Sequence, residues 1–202
     1  MQRKQEKHLR NIVVVFLIAL LALGGYFIFR EMRDIQDAAF TYNNVEFTTV
    51  REEGFVRYQF PIYINNAEEP MYAEIRSDPR TLTEIPYDAS VRDAILEKSQ
   101  LYITMPKNAS GMSVAAYVEV KKILGNPALW NMNTTGAFTE AVPGYPLKTC
   151  KNANAMDAVI EFRTGQARVL RENDCAVLVA PSEEELLHVV DKFTLIILGI
   201  DK

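Results

Sequence analysis

The chain has 202 residues, of which 49% are hydrophobic and 24% are charged, and its formal net charge at pH 7 is −4. This length and composition suit one globular domain with an appendage, and a mean hydropathy of −0.06 excludes a membrane protein with many spans. The acidic balance argues against nucleic acid and anionic lipid headgroups as partners.

The first element in chain order is an apolar segment without a charged residue, from Ile12 to Phe29. As a helix it would be about 27 Å long, close to the thickness of the hydrocarbon layer. We therefore predict a transmembrane helix over residues 11–30 that binds the lipid bilayer. A cleaved signal peptide is the alternative, but its apolar core is usually about 7–15 residues long, and no small-residue cleavage motif follows this segment.

Charge predicts the orientation of this helix. Residues 1–10 form a basic tail with a net charge of +3, and basic flanks remain in the cytoplasm. Subtracting +3 from the chain's −4 leaves −7 for the residues that follow the tail. We expect a single-pass cell-membrane protein with a cytoplasmic N-terminus, a stalk over 31–39 and an extracytoplasmic domain over 40–202.

The outer domain begins with segments that are typical of antiparallel strands. Residues 42–50, 55–65 and 71–76 are rich in aromatic and β-branched side chains, and Gly54 separates the first two. Pro61 lies inside the middle segment, and a proline there predicts an edge strand or a bulge.

The middle of the domain alternates between helices and strands. A short helix is predicted after Ser90, with Ser90 as its cap, and residues 101–105 predict a buried strand. A second helix is predicted over about 112–124. Residues 125–149 contain several prolines and glycines and are expected to be irregular, and loops of this length are often functional.

The last third has the clearest patterns. Residues 157–162 and 167–172 predict a hairpin, and residues 175–180 predict a central strand because they are apolar at every position. A capping box at Ser182 begins a helix that runs to about Leu198. Together these elements predict the α+β class, with helices packed on one mixed sheet.

The two cysteines, Cys150 and Cys175, both lie in the predicted outer domain. Outside the cytoplasm such a pair is commonly oxidised, so we predict a disulfide, with two buried free thiols as the alternative. Two glycosylation sequons begin at Asn108 and Asn133, in segments expected to be polar loops; they permit glycosylation without implying it.

The C-terminal segment 194–200 is apolar around its whole circumference as a helix. One side can pack on the sheet, whereas Leu195 and Leu198 would otherwise meet water. We predict that these two leucines contact a partner protein or a second copy of the chain, with coverage by the 125–149 loop as the alternative.

The closing motif D-K-F-x-L-x-x-L-G-I, from Asp191 to Ile200, follows the hairpin predicted between the cysteines. With the short basic tail and single span, it is similar to uncharacterised single-span archaeal membrane proteins that carry an extracytoplasmic α+β domain. That resemblance implies no catalytic residues and no cofactor.

A search for reactive arrangements finds no hydrolase or metalloprotease motif in the sequence. Glu184, His188 and Asp191 share a helix face and could hold a divalent ion, although a solvated polar face is the simpler interpretation. The loop from Lys107 to Gly111 meets a helix N-terminus and could hold an anion. We expect neither a cofactor nor a metal.

Three functions follow as hypotheses. The first is a membrane-anchored cell-envelope component whose outer domain binds a protein or assembles with itself. The second is an anchored hydrolase or ligand-binding module with its site near the 125–149 loop. The third is a pilin-like filament subunit, although no processing site bounded by glycine precedes Ile12.

Overall fold

The computed structural model of the chain describes residues 17–18, 20–26, 39–52, 54–64 and 68–202. The chain divides into two compact units, Met1–Phe40 and Thr41–Lys202. In the first unit, the described residues between 17 and 26 are helical. The predicted tail 1–10, most of the predicted span 11–30 and nearly all of the predicted stalk 31–39 lie outside the described residues. Among the residues that are described, no helix combines the length and the apolar character needed to cross a membrane.

The first sheet is a four-stranded meander. Its strands are β1 (Ala39–Tyr42), β2 (Val45–Glu52), β3 (Phe55–Ile62) and β4 (Met71–Ile75), and they lie in chain order. The single strand predicted over 42–50 is thus two strands. Asn43 and Asn44 turn the chain between them with positive φ angles of 46° and 65°, which asparagine tolerates better than most residues.

Pro61 does not make its strand an edge strand, so the edge-strand part of that prediction is wrong. β3 pairs with β2 on one side and with β4 on the other, which makes it a central strand. Its pairs with β2 run from Gln59 to Phe55, so Pro61 lies past them and removes no hydrogen bond from that side. The sheet packs through Phe47 and Phe60, whose ring centroids are 4.7 Å apart and which are fully buried.

The second sheet is mixed and has five strands. They are β5 (Gln100–Met105), β6 (Asn133–Phe138), β7 (Asp157–Thr164), β8 (Arg168–Glu172) and β9 (Cys175–Ala180), in the order β6-β5-β7-β9-β8. β6, β5, β7 and β9 are parallel, and β8 is antiparallel to β9. The α+β class and a mixed sheet are therefore confirmed, although the domain has two sheets instead of one.

The predicted hairpin of β7 and β8 is wrong, because β9 lies between these strands. β9 is buried at every position and needs a neighbour on each side, whereas β8 is largely exposed and forms the edge. The connection from β7 crosses the end of β9, where Gly165 N donates to Ala180 O over 2.9 Å. A Cβ atom on Gly165 would lie 2.9 Å from Val179 Cγ1, so the close crossing requires glycine.

The segment 125–149 is not irregular throughout, because it contains β6, which pairs in parallel with β5. Asn133 begins this strand and does not lie in a loop as expected. Its side-chain amide donates to Gln100 Oε1 over 2.6 Å.

The α-helices of the second unit are α1 (Val91–Leu96), α2 (Gly111–Leu124) and α3 (Glu183–Ile197). α3 begins after Ser182, whose side chain caps it as predicted, and α2 begins at Gly111, close to the predicted start, with the side chain of Ser110 as its cap. Ser90 is the N-cap residue of α1 as predicted, but its side chain does not bond to the helix: its hydroxyl and its backbone N–H both donate to Asp88 Oδ1, over 2.7 and 2.9 Å. Asp88 is therefore the acceptor in this turn.

β9 is apolar throughout because both of its faces are covered. α1 and α3 pack against it. Val159, Cys175 and Val177 form a separate buried cluster with Cys150 packed on it. Cys150 and Cys175 are joined by a disulfide, with their Cα atoms 5.2 Å apart, which confirms the predicted bond.

The interface predicted at Leu195 is wrong, because this side chain is 0% exposed inside the domain. The chain end folds back after α3, and the N–H groups of Ile200 and Asp201 donate to the carbonyl of Leu195. Arg92 of α1 also donates to Ile197 O over 3.0 Å. These segments of the same chain cover the apolar circumference of α3. Leu198 is half-buried, and for this residue the interface stays a prediction.

Candidate ligand-binding site

A cavity of about 270 Å³ opens between β4, α2 and α3. Its walls comprise Met71, Tyr72, Ala73 and Glu74 from β4, Glu119, Lys122 and Ile123 from α2, Asn126 beyond α2, and Asp191 and Thr194 from α3. The cavity thus combines a few convergent polar groups with apolar walls, which is the composition of small-ligand sites.

Asp191 is the most deeply buried charged group of this cavity, with 2% of its surface exposed. Its Oδ2 accepts three hydrogen bonds, from Arg76 N at 3.1 Å, Ser77 N at 2.8 Å and Ser77 Oγ at 2.6 Å. Its Oδ1 accepts none from the residues that the structure describes, yet it is not among the buried unpartnered atoms. Oδ1 is therefore the carboxylate oxygen that the cavity reaches.

Ser77 connects Asp191 to the surface. Its hydroxyl lies 2.7 Å from Nδ1 of His188, an exposed residue, and donates to the Asp191 carboxylate on its other side. A hydroxyl has one hydrogen, so His188 Nδ1 is the donor to Ser77 while Asp191 is ionised. When Asp191 holds a proton, both hydrogen bonds can reverse their direction.

This arrangement differs from a hydrolase triad. In a triad the histidine stands between the serine and the carboxylate, and it removes the hydroxyl proton. Here Ser77 stands between His188 and Asp191, and its hydrogen points to the carboxylate. Ser77 is also only 5% exposed, so it is not positioned as a nucleophile. These three side chains therefore do not form a hydrolase triad.

The pKa of Asp191 is raised to about 6, and burial is the largest of the effects that act on this carboxyl group. The hydrogen bonds from Ser77 and from the backbone of Arg76 lower the pKa, and the negative charge of Glu119 raises it further. The protonation state of Asp191 therefore changes within a pH range near neutrality.

Helical spacing predicted that Glu184, His188 and Asp191 share one helix face, but in the structure their solvent exposure differs. Glu184 and His188 are exposed, whereas Asp191 is buried, so the expected solvated face does not include it. Within the described part of the chain these three groups do not converge as metal ligands. Sequence reasoning missed Ser77 and Glu119, because each meets Asp191 only through tertiary packing.

The predicted anion site at the start of α2 is occupied by a carboxylate of the chain itself. Glu183 Oε2 accepts from Ser110 N at 2.9 Å, from the Ser110 hydroxyl, and from Ser113 Oγ at 3.1 Å. The Ser110 hydroxyl, with help from the backbone N–H, holds the pKa of Glu183 below its usual range. The helix N-terminus attracts an anion as expected, but the anion joins α2 to α3.

A second cluster of potential ligands surrounds the disulfide. Ligand atoms of Cys150, Glu161 and Cys175 lie within 4.8 Å of one another. Both sulfurs are bonded to each other, and a disulfide sulfur lacks the thiolate that binds metals. Glu161 accepts from Cys150 N and from Arg163 Nε, each at 2.7 Å. This carboxylate therefore orders the chain around the disulfide.

Comparisons with known proteins leave the site as the basis for the functional argument. No protein-family model matches the chain, and neither the curated proteins nor the solved structures give a match.

Proposed function

We propose that this chain is a membrane-tethered cell-envelope component whose α+β domain lies outside the membrane and binds a ligand group in the Asp191 cavity. The observation that carries the binding function is the buried Asp191 carboxylate, which has one oxygen bonded three times and the other open to the cavity. An acceptor that reaches a cavity bonds to water or to a ligand group there, and a charged donor makes the stronger bond.

The proposed location of the domain outside the membrane is supported by observations other than the cavity. The apolar run from Ile12 to Phe29, the basic tail before it and the disulfide all favour a single span with the domain outside. The resemblance to archaeal single-span membrane proteins has the same implication. Cysteine-labelling of intact cells that carry Glu184→Cys in the outer domain tests this location. Labelling by a membrane-impermeant reagent supports it, and labelling only after lysis contradicts it.

A cavity-filling variant tests the binding function. Ala73 lines the cavity, so Ala73→Met should fill part of it, whereas Ala141→Met adds the same side chain at an exposed loop position. The full chain in detergent would be titrated with a library of small cationic, neutral and anionic molecules by ligand-observed NMR. We expect hits that the first variant loses and the second retains. A library without such hits contradicts the proposed function.

A second candidate function is self-assembly through β6. This strand pairs with β5 on one side, and along its other side the described residues pair with it only near its end, where Phe138 meets Leu147. It carries no charged side chain, although edge strands usually carry charges that prevent pairing. On α2, the helix that packs against β6, Val114 and Val118 are 49% and 41% exposed and add apolar surface beside this edge. A second copy fits this edge, because a neutral strand meets no like charge in its own copy.

The oligomeric state tests this second candidate. Thr134→Pro removes a backbone donor from the free side of β6, because Asn133 N and Thr139 N donate to the β5 side and alternate residues face opposite sides. Ala141→Pro, at an exposed loop position past the strand, is its control. If β6 pairs two copies, the first variant shifts the detergent-extracted chain to a monomer and the second does not. A native chain that sediments as a monomer at all concentrations excludes this assembly.

A further inference from the structure

The charge balance of the cavity wall indicates what kind of group the cavity binds. Glu74 is paired with Arg57 and lies 3.9 Å from Lys122 Nζ. Glu119 is paired with Arg76 at 2.7 Å and with Lys122 at 3.1 Å. Burial raises the pKa of Glu119, but these hydrogen bonds outweigh burial and hold it below its usual range. Both wall carboxylates therefore already have cationic partners.

Asp191 differs from these two carboxylates, because every donor to it is neutral. The donors are the backbone N–H of Arg76, the backbone N–H of Ser77 and the Ser77 hydroxyl. The guanidinium of Arg76 is directed to Glu119 instead. Ionised Asp191 thus lacks a compensating cation among the described residues.

The shape of the cavity limits the ligand group. About 270 Å³ admits a small molecule or one side chain. Met71, Ala73 and Ile123 provide apolar wall, and Thr194 adds a hydroxyl one helical turn after Asp191. A protonated primary amine on a short aliphatic chain has the matching chemistry, with a positive charge, three N–H donors and an apolar stem. An anion would meet the like charge of Asp191.

We infer that the Asp191 cavity selects a primary ammonium group carried on a short aliphatic chain. This inference rests on the proposed binding function and names its ligand class. The ammonium donates to Asp191 Oδ1 at the cavity floor, and the aliphatic stem packs on Met71, Ala73 and Ile123. A neutral amide has donors but no charge, and a quaternary ammonium has charge but no donors. Both should bind more weakly.

The protonation of Asp191 makes this binding dependent on pH. Only the ionised carboxylate compensates an ammonium, so binding weakens as the pH falls through about 6, the pKa of Asp191. The ionised fraction then predicts an affinity about tenfold lower at pH 5 than at pH 7.5. The other charged or titratable groups that face Asp191 or the cavity are Tyr72, Glu74 and Arg76 of the β4 segment, Glu119 and Lys122 of α2, and His188 of α3, which contacts Ser77.

Four small probes test the selectivity on the full chain in a non-ionic detergent. Calorimetric titrations would compare n-propylammonium with propionamide, propionate and tetramethylammonium at pH 7.5. We expect n-propylammonium to bind at least about tenfold more tightly than the other three, since one lost charged hydrogen bond is worth about that factor. Equal binding of propionamide overturns the inference, because the charge would then contribute nothing.

Two variants assign the binding to the carboxylate. Asp191→Asn keeps the size of the side chain and removes its charge, so it should lose n-propylammonium binding and its pH dependence. Glu184→Gln removes a charge from an exposed position on the same helix and should retain both. Retained binding in the first variant overturns the inference. If that variant does not fold, the pH profile of the native chain decides, and a flat profile between pH 5 and 7.5 overturns it.

The outcomes separate this inference from the function on which it rests. If neutral library molecules bind and Ala73→Met removes them, the binding function stands and the ammonium assignment is wrong. If no library molecule and no probe binds, both are wrong. The source of the amine follows from two further titrations, with putrescine as a free amine and with Nα-acetyl-lysine amide as a protein side chain. The tighter of the two identifies the source.

Discussion

Replacing Asp191 with asparagine should stabilise the protein near neutral pH. Burial raises the pKa of this carboxyl group from 3.8 to about 6. The folded protein therefore binds more protons than the unfolded chain between these pH values, and its stability falls as the pH rises from about 4 to 6. Asparagine does not ionise and avoids this loss. Its carbonyl oxygen can still accept from Ser77 and from the backbone of Arg76.

The size of the effect follows from the shift in pKa. Each pKa unit corresponds to 1.36 kcal/mol, so a shift of about two units sets an upper limit of about 3 kcal/mol on the gain at pH 7.5. For a chain of this length that upper limit corresponds to a rise in the melting temperature of about 6–12 °C. At pH 4, close to the unfolded-state pKa of 3.8, only about 0.5 kcal/mol of this difference should remain, and it should disappear below about pH 3, where the carboxyl group is protonated in both states.

Thermal unfolding of the full chain in detergent at pH 7.5 and pH 4 measures this difference. Glu184→Gln serves as the control, because it removes an exposed carboxylate from the same helix and should change the melting temperature little at either pH. The reasoning is refuted if Asp191→Asn melts below the native chain at pH 7.5. It is also refuted if the variant gains the same stability at both pH values, since the gain would then not come from ionisation.

Three further changes test the packing by chemical denaturation of the full chain. Leu195→Ala should lower the free energy of unfolding by about 2–5 kcal/mol, because Leu195 is fully buried, and Leu198→Ala should lower it by less than half as much. Thr104→Val should raise it by about 1 kcal/mol, because Thr104 Oγ1 is buried without a hydrogen-bond partner among the described residues. Reduction of the Cys150–Cys175 bond should lower it by about 3 kcal/mol, and thiol labelling of the unreduced, denatured chain should find no free cysteine.

Each of these tests has a result that contradicts its premise. Equal losses at Leu195 and Leu198 would mean that their burial does not differ as the structure has it. A destabilised Thr104→Val variant would mean that the hydroxyl has a partner. Labelling of both cysteines in the unreduced chain would mean that the disulfide does not form.

Local sequence patterns predicted most of the helices and strands, but they did not predict which strands pair with one another. The α2 and α3 helices and the strands β5 and β9 were predicted from capping residues and apolar runs, and these signals lie within a few residues of one another. The prediction of a β7–β8 hairpin was wrong because a short turn favours pairing of the two strands that it joins only when no third strand competes for the place between them. β9, apolar at every position, takes the place between them. Which strand fills a gap in a sheet depends on the whole sheet.

The candidate site shows the same division. Helical spacing identified His188 and Asp191 as candidate site residues, and both belong to the site. Ser77 completes it from more than 110 positions earlier in the chain, in a turn after β4 that has no distinctive motif. β6 was missed because the glycines and prolines around it indicate a loop, although its threonines and Phe138 are typical of strands.

Comparing Asp191 with its neighbour Lys192 on α3 supports the proposal that Asp191 is a binding group and not simply part of the core. Lys192 is as deeply buried as Asp191, but its Nζ lies 2.6 Å from Asp201 Oδ2. The other oxygen of Asp201 accepts from Tyr42 at 2.8 Å and from Asn43 at 2.7 Å. The charge of Lys192 is therefore met entirely by the chain, as a buried structural charge requires. Asp191 has no such cation among the described residues and reaches a cavity instead, and a ligand cation is what would complete it.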